Sequence, residues 1–155
     1  MKPEQKLYQD LKTKALDKLV GVRHDRVEPM FGFAIPDLTF TYEGHHGWIE
    51  LKVCEYLKAK GCEGNKVPMQ SPVKMDWRPN QRKWLYDRDR LGGNCWLLVW
   101  HHTGYYALKG VYAMQVAEAM SLSVTISPQE LTGGYYALHS TDLNPKFLRR
   151  IMQGK

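Results

Sequence analysis

The sequence predicts an α/β fold in which a mixed β-sheet is flanked by helices. Three observations support this class. Apolar residues recur at helical spacing near the start, two segments of alternating polarity flank a turn, and a continuous apolar run follows a second helical segment. The chain has 155 residues, which suits one domain with its own hydrophobic core.

The first predicted element is a helix from Pro3 to Val20. Proline suits the first turn of a helix, and Gly21 is a typical residue after a helix end. An apolar stripe at helical spacing consists of Leu7, Leu11, Ala15 and Leu19. Residues 22–28 then predict a short strand or an extended connection, and residues 29–36 predict a loop.

Two neighbouring segments of alternating polarity predict a β-hairpin. They are residues 37–42 and residues 48–53. The segment between them contains His45 and His46 and has the composition of a turn, so we expect both histidines in a solvated turn.

The remaining elements complete the predicted sheet. Residues 54–77 predict a long irregular segment, which in a compact domain is usually functional or mobile. Residues 79–91 predict a second helix, closed by a glycine pair. Residues 94–100, which are apolar after Asn94, predict a strand buried on both faces, and residues 105–108 predict a strand pairing with it.

The C-terminal third predicts shorter elements. Residues 114–120 predict a short helix, and residues 124–126 and 135–138 predict strands. A basic helix is predicted from Pro145, because proline favours a helix start.

Three polar side chains of the hairpin should converge. Residues two apart share one face of a strand, so Glu50 and Lys52 should project together, and closing the hairpin should bring Asp37 beside them. Paired carboxylates are costly unless a cation neutralises them, and Mg²⁺ suits one or two carboxylates. This arrangement could support hydrolysis of a phosphodiester, although such residues also occur on ordinary surface strands.

The net charge of +6 is concentrated in one part of the chain. The window from Lys52 to Lys83 holds eight lysines and arginines and three acids, so it carries most of that charge. A second basic cluster lies near the C-terminus at Lys146, Arg149, Arg150 and Lys155. Such regions can neutralise nucleic-acid phosphates, but a solvated basic loop is the simpler alternative.

Several features favour a cytoplasmic location and no membrane contact. No long apolar run is present, and the first residues lack the apolar segment of a secretory signal. Three cysteines, an odd number, favour free thiols in a reducing compartment. Cys54 and Cys62 match no common zinc spacing, so buried thiols are favoured over a zinc site.

The motif residues resemble a known nuclease signature. Pro36-Asp37, followed by a strand, a turn and Glu50-Leu51-Lys52, resembles the signature of the PD-(D/E)XK nuclease superfamily. The helical segment with Gln81 and Trp84, the Leu91-Gly92-Gly93 stop and the buried strand then resemble small phage and bacterial nucleases. These are the VRR-NUC and Holliday-junction-resolvase-like groups. The resemblance spans about residues 22–100, and residues 101–155 carry no motif of these groups.

The resemblance implies a restriction-endonuclease-like core with the order αβββαβ and a central mixed sheet. The core would cover about residues 3–110 of a single nuclease domain, with a C-terminal extension of about residues 111–155. It implies Mg²⁺, with Mn²⁺ as a substitute, and bacterial host cytoplasm if the chain is phage-encoded. It also implies a homodimer, because enzymes that resolve branched DNA cut two strands.

The resemblance further implies a role for each site residue. Asp37, Glu50 and the Leu51 backbone carbonyl would be the metal ligands, and Lys52 the catalytic lysine. Gln81 would approach from the second helix, although it could equally be an ordinary polar residue of a first turn.

An additional upstream acid is expected, and two residues fit. Glu28 fits the VRR-NUC-like pattern and Glu4 the resolvase pattern. Glu28 is favoured, because Glu4 can instead complement the helix dipole. Residues expected to contact DNA are Lys58, Lys60, Lys66, Lys74, Trp77, Arg78, Arg82 and Lys83.

The predicted function is metal-dependent, structure-specific DNA endonuclease activity, with a Holliday junction or another branched DNA as the leading substrate. A nicking or flap nuclease, or an exonuclease of the same fold, is the nearest alternative. A nucleic-acid-binding protein without catalysis and a basic interaction protein are alternatives from other classes.

Overall fold

The computed structural model describes residues 2–27, 34–53, 55–56, 73–74, 77–101, 104–114 and 137–154. The α-helices within these ranges are α1 (Pro3–Lys14), α2 (Gln81–Arg90) and α3 (Pro145–Met152). The strands within them are β1 (Val22–Arg26), β2 (Leu38–Tyr42), β3 (His45–Val53), β4 (Glu55–Tyr56), β5 (Val73–Lys74), β6 (Cys95–His101), β7 (Gly104–Lys109) and β8 (Ala137–Ser140).

Six of these strands form one mixed sheet in the order β1-β2-β3-β6-β7-β8. Strands β3 and β6 are parallel, whereas all other neighbours in this sheet are antiparallel. The predicted α/β class with a mixed sheet is therefore confirmed. The predicted burial of the apolar strand is confirmed for Cys95 to Val99, each 0% exposed, but was wrong for Trp100, which is 42% exposed near the end of β6.

Helices cover both faces of the sheet. On one face, the main core combines Leu7 and Leu11 of α1 and Ile151 of α3 with Ile49 and Leu51 of β3. On the other face, Leu85 of α2 packs in a smaller cluster with Cys95 and Trp48. None of the helices in the described ranges combines the length and apolar character that crossing a bilayer requires.

The first helix ends earlier than predicted, after Lys14, and a short 3-10 turn follows at Leu16–Lys18. The burial of Leu16 explains this difference. In a continuous α-helix, Leu16 would lie about 140° around the axis from Leu11, five residues earlier, and would point away from the core. The break at Ala15 turns Leu16 inward, where it is 1% exposed.

The hairpin turn is shorter than predicted. It consists of Glu43 and Gly44, which have φ angles of 47° and 80°. Two positive φ angles are typical of a two-residue turn whose twist matches the paired strands. The prediction that His45 and His46 lie in the turn was therefore wrong, because both belong to β3 and pair with β2.

Two other segments differ from their predictions. Within residues 54–77, which were predicted to be irregular, β4 and β5 form a separate two-stranded sheet. Helix α2 begins at Gln81 instead of Pro79, because Asn80 adopts a left-handed conformation with φ 68°.

The C-terminal elements join the same sheet and core. The predicted helix from Pro145 is confirmed, and Asn144 caps it by accepting a 2.9 Å hydrogen bond from the Phe147 N–H. Strand β8 overlaps the predicted strand at residues 135–138 and pairs with β7. The predicted strand at residues 124–126, and the predicted helix beyond Met114, lie outside the described residues.

Gly47 of β3 packs closely against the Asn94 backbone and the Phe40 ring. A Cβ atom at this position would lie 2.3 Å from the Asn94 carbonyl oxygen and 2.7 Å from Phe40 Cζ. Gly47→Ala should therefore lower the free energy of unfolding by about 1–3 kcal/mol, as expected when a packed interior is overfilled. Urea unfolding measures this. Val20→Ala, at a side chain 91% exposed, is the control, and an equal effect of both variants would contradict the expectation.

Candidate active site

Asp37 lies immediately before β2 and faces the end of β3. Because Leu38 pairs with Ile49, the preceding residue reaches the next positions of β3. Asp37 Oδ2 accepts a 2.8 Å hydrogen bond from the Leu51 N–H. Burial raises the pKa of Asp37, while the Leu51 N–H and the charge of Lys52 oppose that rise. This bond fixes the carboxylate beside β3, as the hairpin prediction required.

Glu50 and Lys52 share the face of β3 that α2 covers. Their side chains are almost completely enclosed, with Glu50 1% and Lys52 3% exposed. Lys52 Nζ lies 3.2 Å from Glu50 Oε1. Acidic and basic side chains are rarely buried to this extent unless they are paired. Glu50 and Lys52 therefore form a buried polar pair and do not belong to a solvent-exposed surface strand.

Gln81 connects this pair to the start of α2. Its Nε2 donates to Glu50 Oε1 at 2.8 Å. Its Oε1 accepts from Lys52 Nζ at 3.2 Å and from the Arg78 backbone N–H at 2.8 Å. Because both ends of the amide are engaged, Gln81 holds Glu50 and Lys52 at a fixed separation. Gln81 is the first residue of α2, as the alternative of an ordinary first-turn polar residue had it, but its side chain is only 1% exposed and bonds to the buried Glu50 and Lys52.

Two further side chains enclose Lys52. Glu4 Oε1, from the first turn of α1, lies 3.7 Å from Lys52 Nζ. The ring of Trp77 lies beneath the same ammonium, with 4.8 Å between Nζ and the ring centroid. Glu4 is thus the upstream acid that the structure brings to the site. Glu28, the other predicted acid, lies outside the described residues.

Glu50 has a strongly altered acidity. Burial is the largest cause that raises its pKa to about 8, and the negative charge of Asp37 raises it further, whereas Lys52 opposes the shift. Burial therefore favours a proton on Glu50 in the cation-free protein. A divalent cation would replace this proton, because it stabilises both carboxylates in their charged forms.

The donor set fits a small, hard cation. Within the described ranges, no group of three or more histidine, cysteine or acidic side chains is arranged to hold a metal ion. Mg²⁺ commonly uses only one or two carboxylates and keeps several waters. Asp37 and Glu50 provide such a pair, and the adjoining Leu51 lines the cavity beside Asp37.

Two neighbouring cavities lie beside Asp37 and Lys52 and share Lys2, Glu4 and Arg78 in their linings. The first, about 440 Å³, is also lined by Pro3, Lys52, Val53 and Trp77. The second, about 330 Å³, is also lined by Gln5, Arg26, Asp37 and Leu51. We call them together the active-site cleft, after the candidate active site that they border. Their size is in the range of roughly 300–1,000 Å³ typical of ligand pockets.

The predicted DNA contacts are only partly described. Trp77 and Arg78 line the active-site cleft. Arg82 and Lys83 lie on α2, where Lys83 pairs with Asp87 one turn later. The side chains of Lys58, Lys60, Lys66 and Lys74, like those of Cys54 and Cys62, lie outside the described residues. Cys95 is a buried free thiol.

Sequence patterns did not identify two cations at the cleft, Lys2 and Arg26. Arg26 is the last residue of β1 and pairs with Leu38, the neighbour of Asp37. Once β1 is placed beside β2, that register would have indicated Arg26. Nothing in the sequence indicated Lys2, because its position depends on how α1 crosses the sheet.

The central amide of Gln81 should matter for stability. Gln81→Leu removes the donor to Glu50 and leaves the Arg78 N–H without its acceptor, so the free energy of unfolding should fall by about 1–3 kcal/mol. Chemical denaturation at neutral pH measures the change. Gln9→Leu, on the exposed face of α1, is the control and should change stability little. A Gln81→Leu protein as stable as wild type would show that the network is not stabilising.

No protein-family model and no curated protein matches this sequence. The assignment of a function therefore depends on the chemistry of these side chains.

Proposed function

We propose that this chain is a metal-dependent, structure-specific DNA endonuclease of the PD-(D/E)XK superfamily, and that it resolves Holliday junctions or related branched DNA. The observation that carries the proposal is the buried network in which Gln81 bridges Glu50 and Lys52, with Asp37 anchored beside them. The two acids, Asp37 and Glu50, would provide a site for a metal cation. The buried Lys52 provides a second positive charge beside it. Each can stabilise the negative charge that develops during phosphodiester hydrolysis.

Each side chain has a defined role in the proposal. Asp37, Glu50 and the Leu51 carbonyl would hold Mg²⁺, or Mn²⁺ in its place. When bound, the metal would polarise the phosphodiester and lower the pKa of a coordinated water. Lys52 orients the attacking water or stabilises the negative charge that develops on the phosphorus oxygens. Gln81 is a positioning residue that keeps Glu50 and Lys52 aligned.

The order of the elements supports the finer fold assignment. Apart from the separate two-stranded sheet of β4 and β5, helix α1, strands β1 to β3, helix α2 and strand β6 follow the order αβββαβ. We propose that they form a restriction-endonuclease-like core within a single nuclease domain, to which the C-terminal elements are added. Homodimer formation belongs to the same proposal, because a junction requires two cuts. The proposed location is the cytoplasm, that of a bacterial host if the chain is phage-encoded.

A cleavage assay tests the proposal. Labelled four-way junction, flap, duplex and single-stranded DNA are incubated with the full chain, with Mg²⁺ or with EDTA. We expect Mg²⁺-dependent, paired symmetric cuts in the junction, and loss of cutting by at least about 10²-fold in Glu50→Gln. Asp25→Asn, which removes an exposed acid of β1, is the matched control and should cut normally.

Each other outcome rejects a defined part of the proposal. Cuts in one strand of a flap or nick would replace the resolvase by the alternative nuclease. Binding without any cutting would indicate a nucleic-acid-binding protein without catalysis. Full activity of Glu50→Gln would show that the site is elsewhere.

A further inference from the structure

Three exposed cations surround the half of the active-site cleft that contains Asp37. Lys2 precedes α1, Arg26 ends β1, and Arg78 lies just before α2. All three line the cavity with Asp37 and Leu51, although they come from distant parts of the chain. Glu4 also lines it, so three cations face two acids. With Asp37 committed to a metal, as in the proposed function, the lining is distinctly positive.

Arg26 is held in place by a neighbour on α1. Its guanidinium carbon lies 4.7 Å from the centroid of the Tyr8 ring. An arginine stacked on an aromatic ring keeps its edge available for hydrogen bonds while losing conformational freedom. Burial raises the pKa of Asp37, and the charges of Arg78 and Arg26 are among the causes that oppose this rise.

We propose that Arg26, Lys2 and Arg78 form a subsite for a DNA backbone phosphate adjacent to the one that is cut. Arginine guanidinium groups bind phosphate oxygens through paired hydrogen bonds, and such contacts position the strand without reading its sequence. The strand would then cross the active-site cleft, from Arg26 past Asp37 to Trp77. Cleavage of the neighbouring phosphodiester rests on the proposed function, but phosphate binding by these residues does not.

A binding experiment with matched variants tests the subsite. Fluorescence anisotropy with a labelled four-way junction and a labelled single strand, in EDTA, gives the dissociation constant at several salt concentrations. Arg26→Ala should weaken binding about tenfold and reduce the slope of log affinity against log salt by about one. Arg23→Ala removes the same charge from the same strand, outside the two cavities of the cleft, and should leave affinity near the wild-type value.

Variants at Tyr8 test how Arg26 is held. Tyr8→Phe keeps the aromatic ring and should bind like wild type. Tyr8→Leu removes the ring and should weaken binding by an intermediate factor of about three, because the guanidinium loses its support. Thermal melting of each variant, alongside wild type, shows whether the variant is folded at the temperature of the binding experiment.

The outcomes separate this inference from the proposed function. If Arg26→Ala and Arg23→Ala bind alike while the wild type cuts DNA, the subsite is wrong and the nuclease stands. If Arg26→Ala binds weakly but the wild type never cuts, the phosphate subsite stands and the nuclease is wrong. If the wild type does not bind either DNA, the subsite is overturned.

Discussion

Lys52→Met should lower the rate of DNA cleavage by about 10³-fold while the protein remains folded. Methionine fills a similar volume without charge, so the packing against Trp77 is kept. Lys52 Nζ lies 3.2 Å from both Glu50 Oε1 and Gln81 Oε1. Losing it removes the only ammonium within this network of described side chains. Single-turnover cleavage of junction DNA with Mg²⁺ measures the rate.

The control for this prediction is a lysine of equal charge elsewhere. Lys18→Met changes an exposed residue of the 3-10 turn after α1 and should leave the cleavage rate near that of wild type. Circular dichroism shows whether Lys52→Met keeps its fold. A folded Lys52→Met protein that cuts within a few fold of the wild-type rate would remove Lys52 from the mechanism.

The metal-free protein should lose stability as the pH rises from about 6 to above 8. The pKa of Glu50 is raised from 4.5 to about 8 in the folded state. Its protonated form therefore favours folding, and this contribution is complete below pH 4.5 and is lost as the pH rises through about 8. Between about pH 6 and pH 8 the loss should be about 2–3 kcal/mol, since each unit of pKa difference corresponds to about 1.4 kcal/mol.

Chemical denaturation in EDTA across this pH range measures the effect, with Glu50→Gln as the matched variant. Glutamine does not ionise, so the difference in stability between variant and wild type should widen as the pH rises. Mg²⁺ should stabilise the wild type more at pH 8.5 than at pH 6, because it binds the ionised carboxylate. Parallel pH profiles for the two proteins would contradict the assignment of this titration to Glu50.

Alternation along the strands was enough to predict the centre of the site. Glu50 and Lys52 are two residues apart, and a period of two is a geometric property of any strand. The predicted hairpin was enough to place Asp37 near Glu50, although the residues of its turn were not predicted correctly. A one-residue change in turn length would have moved Asp37 away from Glu50. The two-residue turn at Glu43 and Gly44 sets the register in which Leu38 pairs with Ile49.

Contacts between distant elements could not be predicted in the same way. Glu4 reaches Lys52 because α1 crosses the sheet with its first turn near the end of β3. That crossing depends on packing of Leu7 and Leu11 against the sheet, and helical periodicity identifies the buried face but not the direction of the helix axis. Arg26 was missed for a similar reason, since its role depends on β1 lying at the edge beside β2.

The bridging amide of Gln81 has a consequence for how the protein is made. Gln81 of α2 bonds to Lys52 and Glu50 of β3, which precede it by 29 and 31 positions along the chain. Glu4 reaches Lys52 from the first helix. Contacts of such long range require the chain between the partners to be complete and its loop to be closed. A chain that has been synthesised only as far as β3 carries both carboxylates but lacks the group that aligns them. Under the proposed function, a growing polypeptide would therefore be harmless to nearby DNA until synthesis has passed α2.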